Sequence, residues 1–478
     1  MELDIIKNNK RLESLDTQYI WHPFTQMTEW INDTPVVIAE GRDCFIKDTY
    51  GRWYIDGVSS LWVNIHGHGK KEINDALIRQ LSLISHSTLL GLAGVPSAKL
   101  AEKLVNLISS SLKTGRLNKV FYSDNGSTAV EVAMKMAFQY MQHTKRAGGG
   151  LFVTLENAYH GDTLGAVSAG GIDLFHKTYA PLLFETVRSP SPYCLNCQHG
   201  VVTDAPDAPS KYGCNVEGEF PCLKELRSIL ERLKGKVAAV LIEPLIQAAG
   251  GMITAPAGYL KGVRDLCTSY DTLLIADEVA TGFGRTGTMF ACEAEGVAPD
   301  IICLSKGITG GYLPLAATIA TEDVYNAFLG EFRDKKTFFH GHSYTGNQLG
   351  CAAALASLDI FEKDNVIENL KPKIKILRDR LNRIFSHPHV CDVRAYGMMA
   401  AVELIKDRGT MTAYEFEEKA GWKVAMEARK RSVFIRPLGN VLVIMPPLSI
   451  SAENLQAMLI RVEKSIDAAL LKRRNVTS

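Results

Sequence analysis

Residues 272–287 read TLLIADEVATGFGRTG, and this stretch decides the architecture. The apolar run from Leu273 to Ala276 ends abruptly in Asp277 and Glu278, where a buried carboxylate needs a compensating partner. The expectation is that something cationic meets one of them. A short apolar run bounded by polar residues suits a strand covered on both faces, as in a parallel sheet. The same texture recurs in KVFYS from 119, LFVTLEN from 151, AAVLIEP from 238, DIICLSK from 300 and AATIAT from 316. Helical patterns fill the intervals, so the chain reads as an α/β protein with a mostly parallel sheet.

The clearest helix is STAVEVAMKMAFQYM, residues 127–141, in which Val130, Ala133, Met134, Ala137, Phe138 and Met141 recur on one face. Thr128 and Glu131 have the spacing of a capping box. After about residue 345, long charged helices alternate with short strands in VRAYGMMAAVEL and VFIRPLG, the texture of a smaller α+β domain. GRDCFIKDTYGRWYIDG, residues 41–57, reads as two strands around a turn that pair with that C-terminal region. The expected organisation is an N-terminal segment, 1–69, contributing to the small domain; a large domain, 70–345, with an insertion at 190–223; and a C-terminal small domain, 346–478.

Composition excludes several classes of function. The 478 residues are 46% hydrophobic and 22% charged, which is globular usage at a length for several domains. Lys+Arg 53 against Asp+Glu 52 leaves +1, no general electrostatic basis for binding nucleic acid or an anionic membrane. The opening MELDIIKNNKRLESLD lacks the apolar segment of a secretory signal, and no apolar run approaches the roughly 18 residues of a membrane span. A cytoplasmic location is expected. Cys44, Cys267, Cys292, Cys303, Cys351 and Cys391 are scattered singly, as reduced core thiols are. Cys194, Cys197, Cys214 and Cys222 instead cluster in the Pro-, Gly- and Asp-rich insertion. Zinc and packed free thiols are both open there, and the wide spacing of the second pair favours free thiols.

In open α/β sheets ligands sit beyond the carboxyl ends of the strands, so the residues ending each run carry the chemistry. KVFYS leads into Asp124-Asn125-Gly126-Ser127 at a helix start, which suits a phosphate, or is a plain cap. LFVTLEN leads to Tyr159, whose ring can stack on a flat ligand, and to His160, read as a hydrogen-bonded structural residue. Gly282, Gly284 and Gly287 match a dinucleotide-binding spacing, but no helix pattern follows them and the match is accidental. DIICLSK ends in Lys306, an amine that burial can deprotonate into a nucleophile and proton carrier. Each feature alone has a bland reading as a cap, a turn or a solvated loop. Pyridoxal phosphate explains them together: Lys306 anchors it, Asp277 keeps its ring nitrogen protonated, Tyr159 covers the ring, and Gly126 with Ser127 hold the phosphate.

The ordered series WHPFTQM, DGVSSLWVNIHGHG, SDNGSTAVEVAMKMA, YHGDTLGA, ADEVATGFGRTG, LSKGITGGYLP, TFFHGHSYTGNQLGCA and IRPLG resembles the class III aminotransferases of pyridoxal phosphate fold type I. Within them it is most similar to the 8-amino-7-oxononanoate aminotransferases, which form 7,8-diaminononanoate for biotin. The resemblance implies a small-molecule amino donor and keto acceptor, and a homodimer with a shared active site. It implies that His342 and Ser343 of the partner subunit complete the phosphate cup. It also implies substrate contacts from Phe24, Leu61, Trp62, Tyr159, Lys306, Gly341 and Arg436, the last offering a planar fork to a distant carboxylate. HPFT and SSLW depart from the HPYT and SSWW of the adenosylmethionine-using members, so the resemblance leans towards the branch that uses L-lysine. Another class III ω-aminotransferase, acting on a diamine or β-amino acid, is the alternative.

Overall fold

The computed structural model describes residues 8–33, 35–144, 149–203, 205 and 208–471. The first seven residues of the opening segment, read above for a secretory signal, and the last seven of the expected C-terminal domain therefore lie outside the described residues.

The chain opens with strands β1 (Ile38–Arg42), β2 (Phe45–Asp48) and β3 (Trp53–Asp56). Then follow β4 (Leu117–Ser123), helix α1 (Gly126–His143), β5 (Leu151–Leu155) and β6 (Val187–Ser189). The insertion carries β7 (Gly200–Val202) and β8 (Tyr212–Cys214), and helix α2 (Pro221–Arg232) leads out of it. Next come β9 (Val237–Ile242), β10 (Ile246–Gln247), β11 (Ile253–Thr254), β12 (Leu273–Asp277), β13 (Ile301–Leu304) and β14 (Ala316–Thr321). The C-terminal part contributes β15 (Val390–Tyr396), β16 (Met399–Leu404), β17 (Val433–Phe434), β18 (Pro437–Leu438) and β19 (Val441–Ile444).

The main sheet is seven-stranded in the order β4-β14-β13-β12-β9-β5-β6. Only β14 runs against its neighbours; β13, β12, β9, β5 and β6 pair in parallel. Each apolar run quoted above is a strand of it, and β9 and β14 are buried at every position, as strands covered on both faces must be. Helix α1 packs Ala129, Val130, Ala133, Met134, Ala137 and Met141 against Ala239, Leu241, Ile275 and Ile301 of the sheet.

Two expectations for α1 need correction. Phe138 is 46% exposed rather than core, because its ring lies over Gly150 at the sheet margin, where a Cβ would meet it at 2.9 Å. The capping box is also earlier: the Asn125 side chain accepts from Thr128 N at 3.0 Å and Thr128 Oγ1 accepts from Asn125 N at 3.2 Å. Glu131 instead accepts from Gly165 N at 2.8 Å.

The 41–57 hairpin pairs as expected with the C-terminal region, β3 lying parallel to β17 with Ile55 opposite Val433. A second small sheet, β15-β16-β19-β18, stands beside it. The six scattered cysteines are free and buried. The glycines 282, 284 and 287 sit in irregular turns, with no α-helix directly following. Among the described residues no helix is long and apolar enough to cross a membrane.

Candidate active site

The carboxyl ends of β4, β5, β9, β12 and β13 converge at one end of the main sheet. Asp277 closes β12 and is 4% exposed. One of its oxygens accepts from Val279 N at 3.1 Å, and the other lies 2.7 Å from Nδ1 of His160. A carboxylate only accepts, so the imidazole donates through Nδ1. The side chain that meets Asp277 is thus a histidine rather than the lysine or arginine of an ordinary ion pair. Glu278 is satisfied without any cation, accepting from Thr281 Oγ1, Ala291 N and Cys292 N, each at 2.8 Å.

Glu243, one residue past β9, accepts from Tyr159 N at 3.1 Å and Ala248 N at 2.9 Å. Burial is the largest influence on it and pushes its pKa up to about 7; nearby His160 opposes that shift and Asp277 adds to it. Lys306 follows β13 in a left-handed backbone conformation, φ 44°. Desolvation pulls its pKa below the ordinary lysine value, against the pull of Asp277 and Glu243. Its Nζ stands 4.7 Å from the centre of the Trp62 ring, close enough for a cation–π contact when charged.

Trp62 ends an unusual segment. Ser59, Ser60, Leu61 and Trp62 all have positive φ, at 51°, 48°, 68° and 71°. Such residues cost roughly 1–3 kcal/mol each, so the surroundings must impose the shape. Arg285 does much of this from the interior, donating to Trp62 O at 3.3 Å, Asn64 O at 2.8 Å and Pro446 O at 2.8 Å. Ser59 Oγ donates to Met445 O at 2.6 Å, and Asp56 accepts from Ser60 N at 2.9 Å. The segment leaves Trp62 buried and Leu61 53% exposed.

Tyr159 donates its hydroxyl to Asp162 Oδ2 at 2.7 Å, and burial pushes its pKa up. An aromatic chain runs outward from it: Phe175 at 6.3 Å between centroids, then Phe24 at 5.2 Å from Phe175. Phe24 O accepts from Arg436 Nη2 at 3.0 Å, which ties the two expected substrate residues together.

On the other side, Gly126 begins α1 against the residue after Glu278, where a Cβ would lie 2.5 Å from Val279 Cγ1. Ser127 Oγ is 2.5 Å from Thr163 Oγ1 and accepts from Thr163 N at 3.0 Å. Gly341, His342 and Ser343 are placed differently. Among the described residues, the contacts of this loop run to Asp124, 3.5 Å from His342 Nδ1, and to His86, which donates to Ser343 O at 2.7 Å.

The sequence reading missed Glu243, Arg285 and Thr163 and gave His160 only a structural part. The signal for Glu243 was available, since AAVLIEP ends in a carboxylate just as LLIADE does. Nothing local marked Arg285, whose partners lie far away along the chain.

The lysine, the buried carboxylate, the aromatic shelf and the start of α1 fit a phosphorylated pyridine aldehyde. The unpartnered, buried Nε2 of His160 shows that polar capacity remains inside this cluster. Comparison with known proteins agrees. Residues 27–466 match the family described as aminotransferase class III. A Geobacter sulfurreducens protein named adenosylmethionine-8-amino-7-oxononanoate aminotransferase is 54% identical, covering 96% of this chain and 98% of its own. A protein of the same name from Aquifex aeolicus is 50% identical over 94% of this chain and 96% of its own. Among solved structures, the enzyme of that name from Methanocaldococcus jannaschii superposes with a TM-score of 0.89 at 44% identity, covering 96% and 99% of the two chains. A PLP-bound amine transaminase from an uncultivated Pseudomonas species gives 0.85 at 32% identity, covering 95% and 99%. The chain belongs to the class III aminotransferases: it is a transaminase of fold type I whose cofactor is pyridoxal 5'-phosphate.

Proposed function

We propose that the chain transfers an amino group to the ketone of 8-amino-7-oxononanoate, forming 7,8-diaminononanoate for biotin. The observation that carries this reading is the 54% identity, over nearly both full lengths, to a relative named for that acceptor.

Pyridoxal phosphate, when bound, supplies an electron sink for the carbanion formed at the substrate carbon. The residues do the rest. Asp277, steadied by His160, holds the proton on the ring nitrogen. Tyr159 covers the ring, and the backbone amides of Gly126 and Ser127 at the start of α1 hold the phosphate. The Lys306 amine anchors the cofactor and carries the proton at the substrate carbon, and its lowered pKa keeps more of it unprotonated. Arg436 binds the distant carboxylate, with Phe24, Leu61, Trp62 and Gly341 around the substrate chain.

The second subunit is part of the reading. Leu83, Leu90, Leu92, Val95, Phe339 and Tyr344 are all more than half exposed, apolar side chains that a second subunit would cover. The His86 ring lies tilted against that of Tyr344, with centroids 4.9 Å apart, and donates to Ser343 O. This supports a homodimer in which His342 and Ser343 of the partner subunit reach the phosphate.

For the donor, L-lysine is favoured. Leu61 offers no aromatic face to the sulfonium of adenosylmethionine, for which cation–π attraction contributes roughly 0.5–2 kcal/mol. The names of the relatives favour adenosylmethionine as the second reading. Single-turnover reactions of both donors with cofactor-loaded enzyme, followed by conversion of 8-amino-7-oxononanoate, test the whole reading. A faster, tighter half-reaction with adenosylmethionine reverses the donor order, and no conversion of the acceptor returns the broader ω-aminotransferase.

A further inference from the structure

Ser59 to Trp62 form a turn of left-handed helix that contains no glycine. Ser60 and Leu61 have φ/ψ of 48°/52° and 68°/52°, Trp62 N donates to Val58 O at 2.7 Å and Val63 N to Ser59 O at 3.1 Å. In this hand each Cβ crowds the following carbonyl oxygen, so L residues do not hold such a turn by themselves. Ser59 Oγ on Met445 O fixes its start, and Arg285 on Trp62 O fixes its end. The middle depends on a different group.

That group is Asp56, the last residue of β3, whose side chain is wholly enclosed. One carboxylate oxygen accepts from Ser60 N at 2.9 Å; the other accepts from Ser60 Oγ at 2.8 Å and lies 3.0 Å from His68 Nε2. A carboxylate only accepts, so the imidazole donates through Nε2. Both residues are set in place from outside the turn. Asp56 N donates to Cys44 O at 2.8 Å, and Asp56 pairs with Phe434 of β17. His68 exchanges backbone hydrogen bonds with Asp43, at 2.8 and 2.9 Å. Its ring covers Gly41 of β1, where a Cβ would lie 2.8 Å from His68 Cγ. The sheet β1-β2-β3-β17 thus grips the turn through one carboxylate and one imidazole.

The turn is where this sheet meets the chemistry, since it places the buried Trp62 ring 4.7 Å from Lys306 Nζ. A relaxed, right-handed backbone would redirect Leu61 and Trp62 together and leave the sheet intact. We propose that Asp56, held by His68, is a positioning residue for transamination: it keeps Ser59–Trp62 left-handed and so sets Trp62 beside the Lys306 amine and Leu61 along the substrate. The inference rests on the reading above that Leu61 and Trp62 line the substrate chain. Asp56 and His68 act through those two side chains and take no part in proton transfer.

Steady-state kinetics of full-length, cofactor-loaded enzyme with varied 8-amino-7-oxononanoate test this. His68→Ala and Asp56→Asn should each raise KM about tenfold or more, the effect of losing a buried hydrogen bond to a charged group, while kcat falls no more than about threefold. His68→Gln, whose amide still donates to the carboxylate, should restore most of the difference. In a background carrying both Leu61→Ala and Trp62→Ala, the same changes should add less than about twofold, because the side chains they position are gone. A lowered thermal midpoint with unchanged KM makes the pair purely structural and overturns the proposal. The full rise in KM recurring in the Leu61→Ala, Trp62→Ala background overturns it as well. Where Asp56→Asn fails to fold, the comparison of His68→Ala with His68→Gln decides. Wild-type enzyme that does not convert this acceptor refutes the acceptor reading alone; the same variants, compared by the apparent affinity for the amino donor in the half-reaction, then decide the proposal.

Discussion

His160 Nδ1 lies 2.7 Å from Asp277 Oδ2, with both side chains almost wholly enclosed. Their strands, β5 and β12, are not neighbours, since β9 runs between them. The contact bridges two loops over the end of the sheet and fixes the carboxylate from a side its own strand does not supply. His160→Ala leaves that carboxylate with Val279 N alone, and losing a buried hydrogen bond to a charged group costs about 1.5–3 kcal/mol. Urea unfolding should show a loss of that size, and absorbance titration should show weaker retention of pyridoxal phosphate.

Lys306→Ala should abolish steady-state transamination while leaving the circular dichroism spectrum and thermal midpoint close to wild type. The lysine contributes a desolvated amine rather than core packing, so its removal relieves burial of a polar group. Asp277→Asn should lower kcat at least ~100-fold, about 2.7 kcal/mol of barrier, because an amide cannot hold a positive ring nitrogen. Full activity in either variant contradicts the roles given to them.

Glu243 predicts a pH dependence of stability. Its folded pKa, about 7, stands above the ordinary value of 4.5, so the folded chain holds this proton more tightly than the unfolded one. The contribution is fully present below pH 4.5 and is lost as pH rises towards 7. Glu243→Gln cannot titrate, so the fall in unfolding free energy between those pH values should be shallower in the variant. Parallel urea titrations at several pH values measure this difference, and equal slopes in both proteins contradict it.

Gly126→Ala should destabilise the chain by about 1–3 kcal/mol through overpacking, since the added methyl meets Val279 Cγ1 at 2.5 Å. Val279→Ala should recover much of that loss. A double-mutant cycle by thermal unfolding reads the coupling, and strict additivity would show that the clash is absorbed elsewhere.

Leu61→Trp should shift donor preference towards adenosylmethionine by roughly 2- to 30-fold, the range that an added cation–π contact of 0.5–2 kcal/mol allows. The side chain is 53% exposed, so the larger ring has room. The ratio of half-reaction rates for the two donors is the measurement, and an unchanged ratio removes residue 61 from donor choice.

The sequence by itself determined the strands, their mostly parallel arrangement and the residues at their ends. Each of these is a local property: a short apolar run stopped by Asp277 or Lys306 needs only its own neighbours to be recognised. The long match through HPFT, SSLW, YHGDT and LSKGITGG carried the family as well. Tertiary structure decided which end residues meet. His160 and Asp277 are 117 positions apart, and Arg285 reaches Trp62 across 223, so no periodicity or motif encodes either contact. The exposed Phe138 and the shifted cap at Asn125 were decided in the same way, by the neighbouring Gly150 and by the competing claim of Gly165 on Glu131. The physical reason is common to all of them. Strand and helix identity follows from apolar spacing along a few residues, whereas hydrogen-bond partners and left-handed segments such as Ser59–Trp62 are imposed by chain that returns from far away.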